Sequence, residues 1–285
     1  MGEKLRRAVP EDAPEGGRIC YEAFASIAGA HNFPKDFESP DVTRGLLRML
    51  IDHPGFYGVV AERNGKLLGS NFMDERCPIL GVGPITVDPM AQSQGVGRRL
   101  MQDVLDRATA RKAAGVRLVQ VAYNNRSLCL YTSLGFSTRE PLSVMQGPAL
   151  RRGFPGFDVR AALPADFDAC SALCQEVHGV DRGGDLKDAI DQKTAMVVEH
   201  LGQITGYTTL VGFWGHSVAR SNRDLMALID AAAEFPGPGF MFPTRNHELF
   251  SWCLANGLRL VQQMTLMSIG LYNAPADAFL PSIFY

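Results

Sequence analysis

From residue 4 onward the apolar positions recur in short runs that switch between a period of two and a period near 3.6, which predicts strands interleaved with amphipathic helices. Lys4 to Val9 reads as a strand, and Pro10-Glu11-Asp12 opens a helix that runs through Ile19, Tyr21 and Phe24. Ser39-Pro40-Asp41 announces a second helix carrying Val42, Leu46, Leu47, Leu50 and Ile51, stopped by His53-Pro54-Gly55. Phe56 to Glu62 and Lys66 to Phe72 form a predicted hairpin around Asn64-Gly65, the dipeptide best suited to a tight turn with two positive φ angles. Gly81 to Asp88 is a strand, Gln94 to Ala114 a helix, Arg117 to Ala122 a strand, Ser127 to Leu134 a short helix ended by Gly135, and Phe136 to Met145 a strand.

The order then repeats. Asp158 to Ala161 is strand, helices follow Pro164 and span Gly184 to Gln192, and Ala195 to His200 and Gln203 to Val211 form a hairpin across Leu201-Gly202. Asn124 stands eleven residues before Gly135 and Met145 ten after it, while Asn246 and Met267 keep the same offsets about Gly257. Composition alone does not fix two offsets, so the chain reads as a tandem duplication. A boundary falls in the Pro/Gly/Arg-rich segment 148–156, giving expected domains 1–150 and 155–285 of a mixed α/β class. Tyr131, four before Gly135, becomes Cys253 four before Gly257, so the halves are not chemically equivalent.

Charge narrows the partners. Twenty-eight Lys and Arg against thirty Asp and Glu leave a net charge of -2, without the basic excess that phosphate-backbone binding needs, so nucleic acid is not the expected partner. The first ten residues are charged and no window reaches the roughly 18 uninterrupted apolar residues of a membrane span, so a cytoplasmic chain is expected. Six cysteines without a C-x-x-C read as packed thiols; Cys170, Cys174 and His178 share a helix face but supply too few ligands, and no metal is expected. The apolar end, Ala278 to Tyr285, should dock on the protein, on the second half's core, in a homodimer interface, or in the groove between halves.

The chemistry concentrates in Ile85-Thr86-Val87-Asp88-Pro89 and the following Gln92-Ser93-Gln94-Gly95-Val96-Gly97-Arg98, a strand that runs through a glycine-bearing loop into a helix. Unpaired N–H groups at the helix start, with the helix dipole behind them, favour an anion, and two glycines let a pyrophosphate approach the backbone. No G-K-[ST] follows, and the third glycine of a dinucleotide site is missing. These residues, with Asn124 and the Tyr131-x-x-x-Gly135-Phe136 run, resemble the two motifs of the GNAT superfamily of N-acetyltransferases.

That resemblance implies tandem GNAT-like domains in which only the first binds acetyl-CoA, since Gly215 to Asp224 has no G-x-G and Asp224 would bring the wrong sign to the phosphates. It implies that Ile85, Thr86 and Val87 pair with the pantetheine arm, that residues 92–98 hold the pyrophosphate, that Asn124 anchors the arm, and that Tyr131 protonates the departing thiolate. The acceptor would be a primary amine of a small molecule or peptide. Many relatives carry an acid on the strand Val82 to Val87, and this chain has none there, so the base stays open among water, His31, Asp74, Glu75 and the Tyr285 carboxylate. An acyl-CoA-binding module without turnover, or transfer of a longer acyl chain, are the alternatives.

Overall fold

The computed structural model describes residues 3–284. In the first half, β1 (Lys4–Arg7) leads to α1 (Ala13–Ala30) and α2 (Pro40–Asp52), then to the hairpin β2 (Phe56–Arg63) and β3 (Lys66–Asp74). Asn64 and Gly65 both take positive φ, 52° and 77°, as the turn requires. The expected strand 81–88 is instead two pieces, β4 (Ile79–Val82) and β5 (Thr86–Val87). Gly83 between them has φ of 147° and Pro84 offers no N–H, so the ladder cannot continue through that pair. Then come α3 (Val96–Ala110), β6 (Gly115–Val121), α4 (Asn125–Ser133) and β7 (Ser137–Gln146).

The second half follows the same order: β8 (Asp158–Ala161), α5 (Phe167–His178), α6 (Gly183–Asp191), β9 (Met196–His200), β10 (Gln203–Thr208), β11 (Ser217–Ala219), α7 (Asn222–Ala231), β12 (Phe240–Pro243), α8 (His247–Ala255), β13 (Arg259–Gly270) and β14 (Ala278–Leu280). The duplication shows in its details. Asn124 caps α4 by accepting from the Ser127 N–H, Asn246 caps α8 by accepting from the Leu249 N–H, and Gly135 and Gly257 both end their helices at positive φ. Arg6 pairs with Asp12 at 2.7 Å, and Arg160 with Asp166 at 2.7 Å, each fastening the first strand of its half to the following helix start.

The halves exchange strands. Among the described residues nine strands form one sheet, whose main path runs β1-β2-β3-β4-β6-β13-β7-β12, with β5 on β3, and β14-β11-β10-β9-β8 form a second. β13 lies between β6 and β7, antiparallel to both. β7 in turn lies between β13 and β12. Ser137 pairs with Ser268 and Gln146 with Arg259, while Leu118 pairs with Met267 and Phe240 with Met145, so a pseudo-two-fold axis passes between β7 and β13. Buried Leu142, Val144, Met264 and Leu266 make the core at this junction.

The apolar C-terminal segment docks. β14 pairs with β11, the Ile283 N–H donates to the Phe213 carbonyl at 2.9 Å, and Phe284 enters the first-half core against Phe56 and Trp214. The tail therefore bridges the halves rather than staying on the second one. Tyr285, whose carboxylate is a candidate base, lies outside the described residues. All six cysteines are free thiols, and Cys170 and Cys174 pack in the second-half core with Leu173 and Val177. Among the described residues no helix is long and apolar enough to cross a membrane.

Candidate active site

β4 pairs in parallel with β6 only from Ile79 to Gly81, after which the strands part, and β5 pairs with β3 alone. A cleft of about 590 Å³ opens along this gap. Gly69 makes the close approach of β5 possible, because a Cβ there would overlap the Thr86 carbonyl oxygen. The Asp88 N–H donates to the Leu68 carbonyl at 2.8 Å. Antiparallel alternation then turns the N–H and C=O of Val87 away from β3 and toward the cleft, where Gln92 Nε2 reaches the Val87 carbonyl at 3.3 Å.

Asp88 accepts from the Met90 N–H and starts a one-turn 3-10 helix, Pro89–Ala91. Ser93 (φ 63°) and Gly95 (φ 83°) then curl the chain so that Gly95 is the N-cap of α3, two residues into the helix expected from the sequence. No side chain caps this end, and the first N–H groups of α3 open on the cleft. Gly97 carries a separate message. A Cβ there would meet only Leu130 and Val87 at ordinary distances, 3.5 and 3.7 Å, so neither packing nor φ demands glycine at a helical position where it costs roughly 0.5–1 kcal/mol. The space a side chain would take belongs to the cleft.

Ile85, Thr86, Val87, Gln92, Ser93, Gly95, Val96, Gly97, Arg98, Asn124 and Tyr131, eleven of the twelve residues singled out in the sequence, line this one cleft. Gln94 does not. Its amide accepts from Arg63 at 3.2 Å and donates to the Met90 carbonyl, which turns it outward. Arg98 bridges to Ser133 at 2.6 Å, and Arg126 holds Gln92 at 2.5 Å, so both guanidinium groups border the helix start, whereas Arg99 is drawn off to Glu3. Asn124 spends its oxygen on the α4 cap, leaving its Nδ2 as the donor.

Tyr131 is buried, edge-on to Phe136, and also lines a second cavity of about 110 Å³ on the other side of the strand gap. Burial pushes its hydroxyl up to about 12, offset in part by a hydrogen bond with Ser127. It therefore holds its proton throughout the neutral range.

Two of the candidate bases are removed by geometry. Asp74 is gripped by Arg76 at 2.6 Å and Glu75 by Arg107 at 2.5 Å and Arg111 at 3.3 Å; neither borders the cleft or the cavity beside Tyr131. They read as catalytic candidates because strand ends near a site attract that reading, but both are ion-paired supports. His31 does line the cleft, with Nδ1 against the Ile27 carbonyl at 3.0 Å. Asp36, which the sequence reading did not single out, lines the second cavity. Only its place beside Phe37 and close to Phe33, two aromatic residues in an otherwise polar loop, could have marked it.

In the second half Asp224 is buried and held by the hydroxyls of Thr205 and Ser221 at the start of α7. It supports the helix end rather than facing an open cleft. Among the described residues no group of His, Cys, Asp and Glu could hold a metal ion.

Residues 54–138 match the family model described as an acetyltransferase (GNAT) domain. Solved structures similar over nearly the whole chain include a Pyrococcus horikoshii protein described as an acetyltransferase (17% identity, TM-score 0.71, covering 95% of this chain and 90% of that one). A GCN5-related N-acetyltransferase from Sphaerobacter thermophilus (17%, 0.64, 97% and 98%) is another, as is a tandem GNAT protein of the clavulanic acid biosynthesis pathway (13%, 0.57, 94% and 98%). No curated protein sequence matches the chain. The domain match and the continuous likeness of the fold agree with the cleft: residues 54–138 match a GNAT acetyltransferase domain, and the whole chain shares the fold of these acetyltransferase structures.

Proposed function

We propose that the protein is an acetyl-CoA-dependent N-acetyltransferase that acetylates a primary amine at the first-half cleft, with residues 1–150 carrying the site and residues 155–285 forming a degenerate second GNAT-like domain. The observation that carries this reading is the cleft itself. It joins the outward backbone of Val87, the uncapped start of α3 with its two glycines, and the buried Tyr131 along one gap in the sheet. The acetyl group would arrive as a thioester, whose carbonyl is the electrophile.

Ile85 to Val87 would lie beside the pantetheine as an added strand, with the Val87 N–H directed at the carbonyl oxygen as charge develops there. The N–H groups of Gly95 to Arg98, with Arg98 beside them, would hold the pyrophosphate. Asn124 Nδ2 would donate to the pantetheine, and Tyr131 would release its proton to the sulfur as the C–S bond breaks. Isothermal titration with acetyl-CoA should give one site per chain, and free thiol should appear when a suitable amine is added. Two sites, or no binding below millimolar, overturns the reading. The absence of any carboxylate between Val82 and Val87 favours a second reading, a CoA-binding module without turnover, which predicts tight binding and no thiol with every amine.

A further inference from the structure

We propose that the 110 Å³ cavity beside Tyr131 is the acceptor pocket for a small apolar primary amine, and that Asp36 both binds its ammonium and takes its proton. This rests on the acetyltransferase reading above. The cavity and the 590 Å³ cleft share Phe24, Ile85, Asn124, Ser127 and Tyr131, so occupants of the two meet beside Tyr131. Asp36 is the one charged side chain among the described residues of the cavity wall. Its Oδ1 accepts from Gln262 Nε2 at 3.1 Å, but its Oδ2 is out of solvent and has no hydrogen-bond partner. Gln120, also in the wall, is buried with both amide atoms unpartnered.

Buried polar groups are nearly always satisfied, and among the unpaired atoms of this wall the Asp36 carboxylate oxygen calls for a donor that carries positive charge, with the Gln120 amide as a further polar partner. A primary ammonium supplies three N–H donors. The remaining wall is apolar and comes from both halves: Phe24, Phe37 and Leu118 from the first, Trp214, Met264 and Phe284 from the second. A second charge on the ligand would be stranded there, which excludes polyamines, and the several hydroxyls of an aminosugar would be left without partners. The volume is of the same order as the roughly 150 Å³ of an apolar cavity that takes a benzene ring, and the cavity adjoins the cleft at Tyr131, so the group carried by the amine is a short branched alkyl chain or a single ring rather than a peptide segment.

The chemistry balances with these groups. Asp36 Oδ2 accepts one ammonium proton. The freed nitrogen lone pair forms the C–N bond at the thioester carbonyl, the C–S bond breaks with its electrons on sulfur, and the sulfur takes the Tyr131 proton. The nitrogen then gives up a further proton, which restores Tyr131, while Asp36 returns its own to solvent. The products are the N-acetyl amine, CoA thiol and one proton. Burial raises the Asp36 carboxyl above the usual range, which strengthens it as a base, and its charge is felt by the Cys20 thiol of α1 and by Tyr123, both pushed up by burial and by Asp36. His31, whose ring lies 5.2 Å from that of Tyr123, and Lys35 and Glu38, which flank Asp36 in the chain, are further titratable groups of this loop.

The test uses the whole chain. Thiol release from acetyl-CoA is followed with 2-phenylethylamine and isopentylamine, against spermidine, lysine and an alanine-initiated peptide. In parallel, calorimetry measures 2-phenylethylamine and its uncharged analogue 2-phenylethanol binding to the CoA-saturated protein. The apolar amines should be preferred by at least about 30-fold in kcat/KM. Asp36→Asn should weaken 2-phenylethylamine at least about 30-fold, leave 2-phenylethanol and acetyl-CoA affinity in place, and remove the acid limb of the pH profile. Faster turnover of the polar amines or the peptide, or unchanged amine binding by Asp36→Asn, overturns the pocket assignment while acetyl transfer stands. No acetyl-CoA binding and no thiol with any amine overturns both. The wild-type panel decides the substrate class even if the variant fails to fold.

Discussion

Gly81→Ala probes how the tail is held. Gly81 sits in β4, paired with Asp74 of β3 on one side and Arg117 of β6 on the other, so it cannot retreat. A Cβ there would overlap the Phe284 carbonyl oxygen and lie 2.9 Å from its carbon. Both are backbone atoms, and no rotamer change relieves the clash, so the tail must lift. Phe284, 8% exposed, then loses its edge contact with Phe56 and its tilted contact with Trp214, at centroid distances of 5.5 and 5.8 Å, and the bond from the Ile283 N–H to Phe213 opens to water. Exposing a large apolar side chain costs roughly 1.5–3 kcal/mol, and the lost hydrogen bond adds about 0.5–1.5 kcal/mol. The sum, about 2–4.5 kcal/mol, corresponds to a fall in Tm of roughly 4–18 °C for a chain of this size. Differential scanning calorimetry of Gly81→Ala, Phe284→Ala and the double variant reads it. Because both single changes forfeit the same contacts, the double variant should lose clearly less than their sum. Additive losses, or a Gly81→Ala protein that melts within about 1 °C of wild type, would refute the reasoning.

Gly97→Glu should abolish acetyl-CoA binding in calorimetry with little change in Tm, since the side chain enters open cleft and puts a carboxylate at the helix start; retained binding removes residues 95–98 from the phosphate site. Tyr131→Phe should leave acetyl-CoA affinity nearly unchanged and lower turnover by roughly 10- to 1,000-fold, and unchanged turnover would make it a packing residue. With its hydroxyl pushed up to about 12, no alkaline loss of activity from Tyr131 should appear below pH 10 in a kcat profile. His216 is held well below 6.5, by burial first and then by the Arg182 charge. Its folded value is depressed, so the stability it contributes is full above the unfolded value near 6.5 and is lost as pH falls, by up to about 1.4 kcal/mol per unit; melting curves from pH 8 to 5 should steepen below 6.5, less so in His216→Gln.

Much of the site was legible because its signals are local. The Asn-to-Gly offset of eleven encodes a capped helix closed by a positive-φ glycine, and both copies are that. The glycine loop marks a helix start, although Gly95, as a left-handed cap, sets the helix two residues later than periodicity suggests, and Gln94 leaves the cleft with that shift. Hairpin turns at Asn64-Gly65 and Leu201-Gly202 follow from the φ angles those positions take. What periodicity cannot report is the partner. A strand such as β13 reads the same whichever edge it joins, so the exchange between halves left no trace in the pattern. Asp36 escaped for a related reason: its burial is created by Gln262 and Trp214, more than 170 residues away in the chain. Gly83-Pro84, by contrast, was in plain view, and a proline beside glycine within an assumed strand was reason enough to divide it.

The exchanged strand also sets a timetable for biosynthesis. Gln146, the end of β7, leaves the ribosome 124 residues before Gly270, the end of β13. At about 5–20 residues per second that is an interval of roughly 6–25 s. A first half that folds in that interval would expose facing edges of β6 and β7, with a gap the width of one strand where β13 lies in the finished protein. Any extended segment of matching apolar pattern can dock there, and on a crowded polysome the nearest such segment belongs to a sister chain. Slowing translation between residues 150 and 259 should thus raise the yield of intertwined dimers, whereas speeding it lets each chain close its own gap first.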